Sequence, residues 1–292
     1  MHEECGAAHG EKFQALEREA ERIVKSLNIP ACPAILDRFY REFHSPSADP
    51  RSLAALIGED IGLSAAIMKT VNSPFYGLTK KAKSVEQAMT ILGLRASANL
   101  VSGLLLRRAF PAASNATMER FWESSSRIAG LAAALAARLK GVESDEAHTY
   151  VLFRDCGMLV MLRKFEPYAE VMERGALIPG AELCQIEDTR FKFNHARVAR
   201  ALVRSWSLPD ALCEAIFLHH EFAILANHPT ESRVANRKLI AFGLLAEQIA
   251  SLHLNQGLCP DWVVGERFVL ETLNIEADEI VELSQVLHAG AA

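Results

Sequence analysis

The sequence predicts an all-α fold, and three observations lead to that class. Apolar residues recur at the three-and-four spacing of a helix face in nearly every segment. Residues that start and stop helices flank those segments. Aromatic residues make up only 7% of the 292 residues, whereas Ala and Leu are abundant, and no alternation of apolar and polar residues is long enough to indicate a strand.

The first half is predicted to be a bundle of short helices. Asp49-Pro50 is an N-cap followed by proline at the first helical position, and Asp60 is the expected cap of the next helix. Ser84 begins a capping box that starts a further helix, which Gly93 is expected to end. Residues 95–110 are apolar enough to form a buried helix.

Longer helices are predicted after residues 111–117, a small, polar segment led by proline that suits a domain boundary. We expect one helix over Met118–Leu139 and one continuous helix that runs through LFRDCGMLVML toward Phe165. The tail is expected to contain an amphipathic helix around Leu239–Leu254 and two shorter helices, which we expect to pack on the preceding half.

Two inward-facing histidines on consecutive helices indicate a candidate metal site, with hydrogen-bonded core histidines as the alternative. The first, His195, lies on an apolar helix face. The second, His219, is predicted on the helix that Ser207 caps, and its neighbour His220 would project about 100° away from it. Asp155 on a third helix completes the candidate set.

Composition indicates a water-soluble protein. The charged fraction is 23%, half of the residues are apolar, and the net charge is −5. The polar, acidic N-terminus is not a signal peptide, and no run of about 18 apolar residues predicts a membrane span. The six cysteines never form a CxxC pair, so we expect free thiols and not a disulfide or zinc framework. These features predict a cytoplasmic protein without a membrane partner.

Positive charge is concentrated in one segment. Residues 61–110 hold seven Lys or Arg side chains and a single Glu, a net charge of +6, so the remainder of the chain carries −11. Such an area suits an acidic partner or an anionic ligand, although helix C-termini collect basic residues for local reasons. The overall acidity makes nucleic acid an unlikely partner.

Several ordered motifs resemble one known family. They are LNIPACPAIL, DPRSLAALIGEDIGLSAAIMKTVNS, VNSPFYG, SVEQAMTILGLRASANLVSGLLLRRAF, FWESSSRIAGLAAALAARL, LFRDCGMLV, HARVARALVRSWSLPDALCEAI and LHHE. Together, over about residues 27–221, they resemble the HDOD family of HD-related output domains. The resemblance implies an all-helical module related to the HD and HD-GYP metal phosphohydrolases, used in bacterial regulation and without a complete catalytic site.

The resemblance also implies a domain division. We expect an N-terminal helical extension (1–26), the N-terminal half of the HDOD domain (27–112), a degenerate HD-like half (113–225) and a C-terminal helical extension (226–292). The oligomeric state is not predicted.

The metal-binding residues of HD enzymes are only partly present. Asp155 matches the aspartate of the HD doublet, but Arg154 replaces its histidine, and a guanidinium cannot donate a lone pair to a metal. His195 matches a further ligand, and His219-His220 match the paired histidines. The early helix histidine is missing at Ser124–Arg127, and no Gly-Tyr-Pro follows the LHHE motif.

We therefore expect no catalytic residue, no cofactor and no bound metal, with Asp155, His195, His219 and His220 as the remnant of a site. The predicted function is a non-catalytic signalling module that binds a protein partner or a small ligand. The alternative is a residual metal-dependent phosphohydrolase acting on a cyclic nucleotide or phosphate ester, with Arg154 holding the phosphate.

A candidate surface for the partner or ligand follows from the basic segment and the VNSPFYG motif. If exposed, the loop aromatics would be good anchors for a partner, although loop aromatics usually pack against their own domain. The predicted surface residues are Asn72, Phe75, Tyr76, Lys80, Lys81, Lys83, Arg95 and Arg154.

Overall fold

Every regular element among the described residues is a helix, which confirms the predicted all-α class. The computed structural model describes residues 18, 22–23, 25–73, 76, 78–111, 116–227 and 231–289. Most of the expected N-terminal extension and the centre of the expected boundary at 111–117 lie outside these residues.

Among the described residues, the first half contains the helices α1 (Ala34–Phe43), α2 (Pro50–Gly58), α3 (Ile61–Val71) and α4 (Val85–Ala109). The predicted caps are confirmed. The Asp49 carboxylate accepts the backbone N–H groups of residues 51 and 52, the Asp60 carboxylate accepts that of Leu63, and the Ser84 hydroxyl accepts that of Gln87. These caps satisfy N–H groups that have no partner within the helix.

Gly93 divides α4, as the sequence predicts. Its φ of 77° and ψ of 168° lie outside the helical region and in a region that only glycine adopts readily. By length and composition α4 is the one described helix that could cross a membrane, with 44% of its most apolar window buried inside the protein. The break leaves segments of residues 85–92 and 94–109, each shorter than the roughly 20 residues of a spanning helix.

Eight helices follow in the second half: α5 (Ala116–Leu139), α6 (Ser144–Arg154), α7 (Cys156–Lys164), α8 (Tyr168–Gly175), α9 (Gly180–Phe191), α10 (His195–Ser205), α11 (Asp210–Phe217) and α12 (Phe222–Asn227). The prediction of one continuous helix through LFRDCGMLVML is wrong. The chain leaves helical geometry at Asp155 (φ −101°, ψ 9°), which separates α6 from α7.

Two local predictions around α11 are also wrong. Ser207 does not cap it, because Ser207 has a positive φ of 58° and Pro209 occupies the N-cap position. The helix ends at Phe217, so His219 and His220 lie in the turn that follows it and not on its face. A turn lets both imidazoles point to the same side, which an α-helix does not allow.

The C-terminal helices pack on the second half, as predicted. They are α13 (Glu231–His253), α14 (Pro260–Leu273) and α15 (Ala277–Ala289). Helix α13 packs against α5, α6 and α11, and α14 packs against α13. Leu245 and Ile249 of α13 are fully buried. The extension is therefore part of the core that surrounds the candidate site.

The role of Gly93 can be tested with a matched pair of substitutions. No atom lies within 4 Å of a Cβ built on Gly93 or on Gly130 of α5, but only Gly93 has a positive φ. Gly93→Ala should lower the free energy of unfolding by about 1–3 kcal/mol because of backbone strain. Gly130→Ala should raise it by about 0.5–1 kcal/mol. Denaturant unfolding followed by circular dichroism measures both, and equal effects would contradict the account.

Candidate functional site

Four sequence-predicted site residues meet at one point. Asp155 lies at the break between α6 and α7, His195 begins α10, and His219 and His220 lie in the turn after α11. One potential ligand atom from each residue lies within 4.8 Å of the others. Folding thus gathers a carboxylate and three imidazoles from three separate segments.

Close helix packing brings Asp155 to His195. A Cβ on Gly157 would lie 2.0 Å from the backbone oxygen of His195 and 2.6 Å from the backbone nitrogen of Ala199. Only glycine therefore permits α7 and α10 to cross at this separation. The crossing places Asp155 Oδ1 3.7 Å from His195 Nε2.

Each imidazole is held by its Nδ1 atom. His195 Nδ1 donates to the buried Glu187 carboxylate at 2.8 Å, and His220 Nδ1 donates to Asp261 at 2.6 Å. His219 Nδ1 donates to the backbone oxygen of Ile216 at 2.5 Å. Since carboxylates and carbonyls only accept, these partners place a hydrogen on every Nδ1 and direct every Nε2 toward the centre.

The Nε2 atoms lie close together at the centre of the site. His195 Nε2 is 3.0 Å from His220 Nε2, and His219 Nε2 is 3.2 Å from Asp155 Oδ1. Two acceptors at such a distance need a proton or another cation between them. The arrangement favours positive charge at this point.

Protonation of His195 supplies one such cation. Burial lowers its pKa, but the adjacent Glu187 carboxylate and Cys184 outweigh burial, so the pKa of His195 lies well above its usual 6.5. His219 behaves differently, because burial and the neighbouring His220 lower its pKa to about 4 against the opposing effect of Asp155. Of these two imidazoles, His195 is therefore the more readily protonated.

Glu187 is itself tightly held. Its carboxylate accepts the Tyr168 hydroxyl at 2.5 Å and the backbone N–H of His195 at 2.8 Å. Burial raises the pKa of Glu187, but the charge of His195 and these hydrogen bonds outweigh burial and lower it below the usual value. Glu187 therefore stays ionised and positions His195.

Arg154 closes the other side of Asp155. Its Nε donates to Asp155 Oδ2 at 2.9 Å, and its Nη2 donates to Glu247 Oε2 of α13 at 2.8 Å. The Arg154 side chain is only 8% exposed. Burial raises the pKa of Asp155, but the Arg154 guanidinium and the contact with His219 outweigh burial and hold it well below 3.8.

The donor set fits one metal ion but not two. Asp155 Oδ1 and the three Nε2 atoms offer four ligands within reach of a single ion, as in tetrahedral sites. A second ion would need Asp155 Oδ2, which the Arg154 guanidinium already occupies. The expectation of no bound metal stays a prediction.

Three residues of the site were missed by sequence reasoning: Glu187, Glu247 and Asp261. Each is an acidic residue on or beside a buried helix face. Glu187 lies four residues from both Leu183 and Phe191, on the apolar stripe of α9. A carboxylate in such a stripe is a signal that was present in the sequence, because charged residues are rarely buried without a partner.

The predicted loop surface is only partly exposed. Asn72 exchanges two hydrogen bonds with the backbone of Ala82, at 2.8 and 3.0 Å, and so closes the loop between them. Tyr76 is half-buried and Phe75 lies outside the described residues. Arg95 pairs with Glu146 at 3.2 Å. The surface lysines of this segment are exposed: Lys80, Lys81 and Lys83.

Arg154 is not part of that loop surface. It is buried in the second half, between Asp155 and Glu247. The grouping of Arg154 with the loop residues is therefore corrected, because its charge is already neutralised inside the protein.

Comparisons with known proteins give one family match. The model of the HDOD domain matches residues 29–222. An uncharacterised protein of Treponema pallidum (strain Nichols) is 26% identical over 199 residues, which are 66% of this chain and 38% of that protein. The chain thus spans well under half the length of this relative.

Solved structures share the fold. A protein from Shewanella amazonensis SB2B, provisionally named a phosphohydrolase, superposes with a TM-score of 0.66 at 20% identity, over 91% of this chain and 93% of that one. A protein from Marinobacter aquaeolei VT8, provisionally named a signal transduction protein, gives 0.64 at 20% identity, over 97% of this chain and 65% of that one.

Gly180→Ala should disrupt the position of His220. A Cβ at residue 180 would lie 2.0 Å from the His220 ring, and the Gly180 N–H also holds Asp261 at 2.6 Å. We expect the hydrogen bond between His220 and Asp261 to break. Overpacking should also lower the free energy of unfolding by about 1–3 kcal/mol. Imidazole ¹⁵N chemical shifts measure the first effect and denaturant unfolding the second. Gly130→Ala is the control, and unchanged His220 shifts in Gly180→Ala would contradict the geometry.

Proposed function

The chain belongs to the HDOD family, and we propose that it is a non-catalytic regulatory module of the bacterial cytoplasm that acts by binding a protein partner or a small ligand. The observation that carries this proposal is the guanidinium of Arg154, bound between Asp155 and Glu247. The resemblance to HD phosphohydrolases implies a metal-binding histidine at this position, where this chain has a fixed organic cation.

Loss of the second ion removes the means of hydrolysis. Two ions about 3.5–4 Å apart clamp the attacking and leaving oxygens in two-metal hydrolysis. Here Asp155 Oδ2 accepts from Arg154 at 2.9 Å and cannot bridge to a second ion. A metal with an open coordination position activates water, whereas an ion held by four protein ligands is typical of a structural site. A single tetrahedral ion on Asp155 and the three histidines would therefore be closed.

The geometry also argues against Arg154 as a phosphate ligand. Two of its donor nitrogens are committed to carboxylates. A phosphate approaching this side would face Asp155, Glu247 and Asp261, which repel it. Binding of an anionic substrate through Arg154 is therefore disfavoured.

A signalling role for the exposed lysines is part of the proposal. Lys80, Lys81 and Lys83 extend from a loop that Asn72 fixes in place. A positively charged surface of this kind suits an acidic surface on a protein partner. The fold shared with the Marinobacter aquaeolei signal transduction protein supports this setting.

A second candidate function is a residual metal-dependent phosphohydrolase. The convergence of the four potential ligand atoms within 4.8 Å favours it, as does the fold shared with the Shewanella amazonensis protein. Such an enzyme would depend on an ion held by Asp155, His195, His219 and His220. Substitution of His219 would abolish its activity.

Metal content and turnover distinguish these functions. We expect the tag-free protein, purified without chelators, to carry at most about one ion per chain and to leave bis(p-nitrophenyl) phosphate intact with added Mn²⁺. Arg154→His should bind about one ion more than the wild type, because it exchanges a blocking cation for a ligand. Elemental mass spectrometry and absorbance assays measure the two quantities.

The control is His219→Ala, which removes one ligand and should lower any ion content of the wild type. About two ions per chain in the wild type, with turnover that His219→Ala abolishes, would contradict the proposal and support the hydrolase.

A further inference from the structure

A cavity of about 240 Å³ opens directly beside the candidate site. Its polar end is formed by Arg154, Asp155, His220, Glu247 and Asp261. Two members of the donor set, Asp155 and His220, line this wall, whereas His195 and His219 do not. The cavity therefore adjoins the centre where the Nε2 atoms meet.

The charge of the polar end is negative. Three carboxylates line it against one guanidinium. Asp155 and Asp261 have both oxygens engaged, Asp155 with Arg154 and His219, and Asp261 with His220 and the Gly180 N–H. Arg154 neutralises only one of the three charges, so an anion entering the cavity would be repelled and a cation attracted.

Glu247 provides the open acceptor. Its Oε2 takes the bond from Arg154, while no group among the described residues donates to its Oε1. The side chain is 31% exposed, unlike the 8% of Arg154. Burial raises the pKa of Glu247, and Asp261 and Asp155 raise it further against the opposing charge of Arg154. A cation at Oε1 would relieve this repulsion.

The remaining walls are mainly apolar. Ile128, Met158, Met172, Ile178 and Leu183 line the cavity away from the carboxylates. Methionine and branched aliphatic side chains accommodate hydrocarbon of varied shape. An inorganic ion would leave these walls and most of the volume unfilled, whereas a ligand with a cationic head and an apolar body would contact both ends.

Size restricts the ligand further. Pockets for drug-sized molecules usually measure about 300–1,000 Å³, and this cavity, at about 240 Å³, lies just below that range. An anionic phosphodiester would meet the three carboxylates of the polar end, which repel it. The charge and volume of the cavity therefore point to a small molecule that is not anionic.

We propose that this cavity binds a small organic cation, a primary amine with a short hydrocarbon chain, whose ammonium group binds the Glu247 carboxylate. The inference rests on the proposed function, in which the module binds a partner or small ligand, and it names the chemical class of that ligand. The ammonium donates to Oε1, and the chain lies along the methionine-lined wall.

Three six-carbon probes test the proposal. Isothermal titration of the full-length protein, in an amine-free buffer, compares n-hexylamine, n-hexanol and hexanoate, which differ only in the head group. We expect saturable binding of hexylamine and at least about tenfold weaker binding of the other two, which equals about 1.4 kcal/mol. Equal binding of hexanoate, or no saturable binding of hexylamine, would overturn the proposal.

Two carboxylate variants locate the head group. Glu247→Gln keeps the shape and removes the charge, so hexylamine should bind at least about tenfold more weakly. Glu271→Gln, on the exposed Arg267–Glu271 pair of α14, removes the same charge away from the cavity and should leave binding unchanged. Equal effects in the two variants would overturn the assignment of Glu247. Circular dichroism checks that both variants fold.

A third variant fills the cavity without touching its charges. Ser124 lines the cavity from an exposed position on α5, so Ser124→Leu is compatible with folding and should weaken hexylamine binding by excluding its chain. Unchanged hexylamine binding in Ser124→Leu would overturn the placement of the ligand in this cavity. If the protein neither binds hexylamine nor hydrolyses phosphodiesters, only the proposed ligand class is contradicted. If it hydrolyses phosphodiesters, the proposed function is contradicted.

Discussion

The candidate site depends on one constraint, the need of a buried guanidinium for negative partners. Arg154 is buried at the end of α6, and removing such a charge from water costs several kcal/mol unless it is paired. Asp155 and Glu247 provide the two partners. Because Glu247 belongs to α13, this pairing also connects the C-terminal helices to the second half.

A similar need for partners, here of buried carboxylates, positions the histidines. Glu187 and Asp261 are buried carboxylates that need donors, and His195 and His220 supply them through Nδ1. Holding Nδ1 in this way turns each Nε2 toward the centre, as hydrogen-bond acceptors behind metal-ligating histidines do. The same contacts would support a metal ion on Asp155 Oδ1, while Arg154 binds Asp155 Oδ2.

Local sequence predicted most of the helices and part of the site. Caps such as Asp49, Asp60 and Ser84 are satisfied by backbone groups two or three residues away, so their pattern is readable without the fold. The break at Asp155 depends instead on how α7 lies against α10, where Gly157 meets the His195 backbone. That contact joins segments far apart in sequence.

The parts of the site contributed by distant helices were not predictable from motifs. Glu247 and Asp261 lie beyond the matched residues 29–222, and their partners are 93 and 41 residues away along the chain. No spacing rule connects such residues. Only their placement on buried helix faces, next to apolar neighbours, marks them as polar groups that need partners.

Under the proposed function, Arg154 keeps Asp155 from binding a second metal ion. Anomalous diffraction from crystals soaked in Mn²⁺ tests it most directly. The account predicts at most a single peak, among Asp155 and the three histidines, with Arg154 still bound to Asp155 and Glu247. A second peak between Asp155 and Glu247, with the guanidinium displaced, would contradict it.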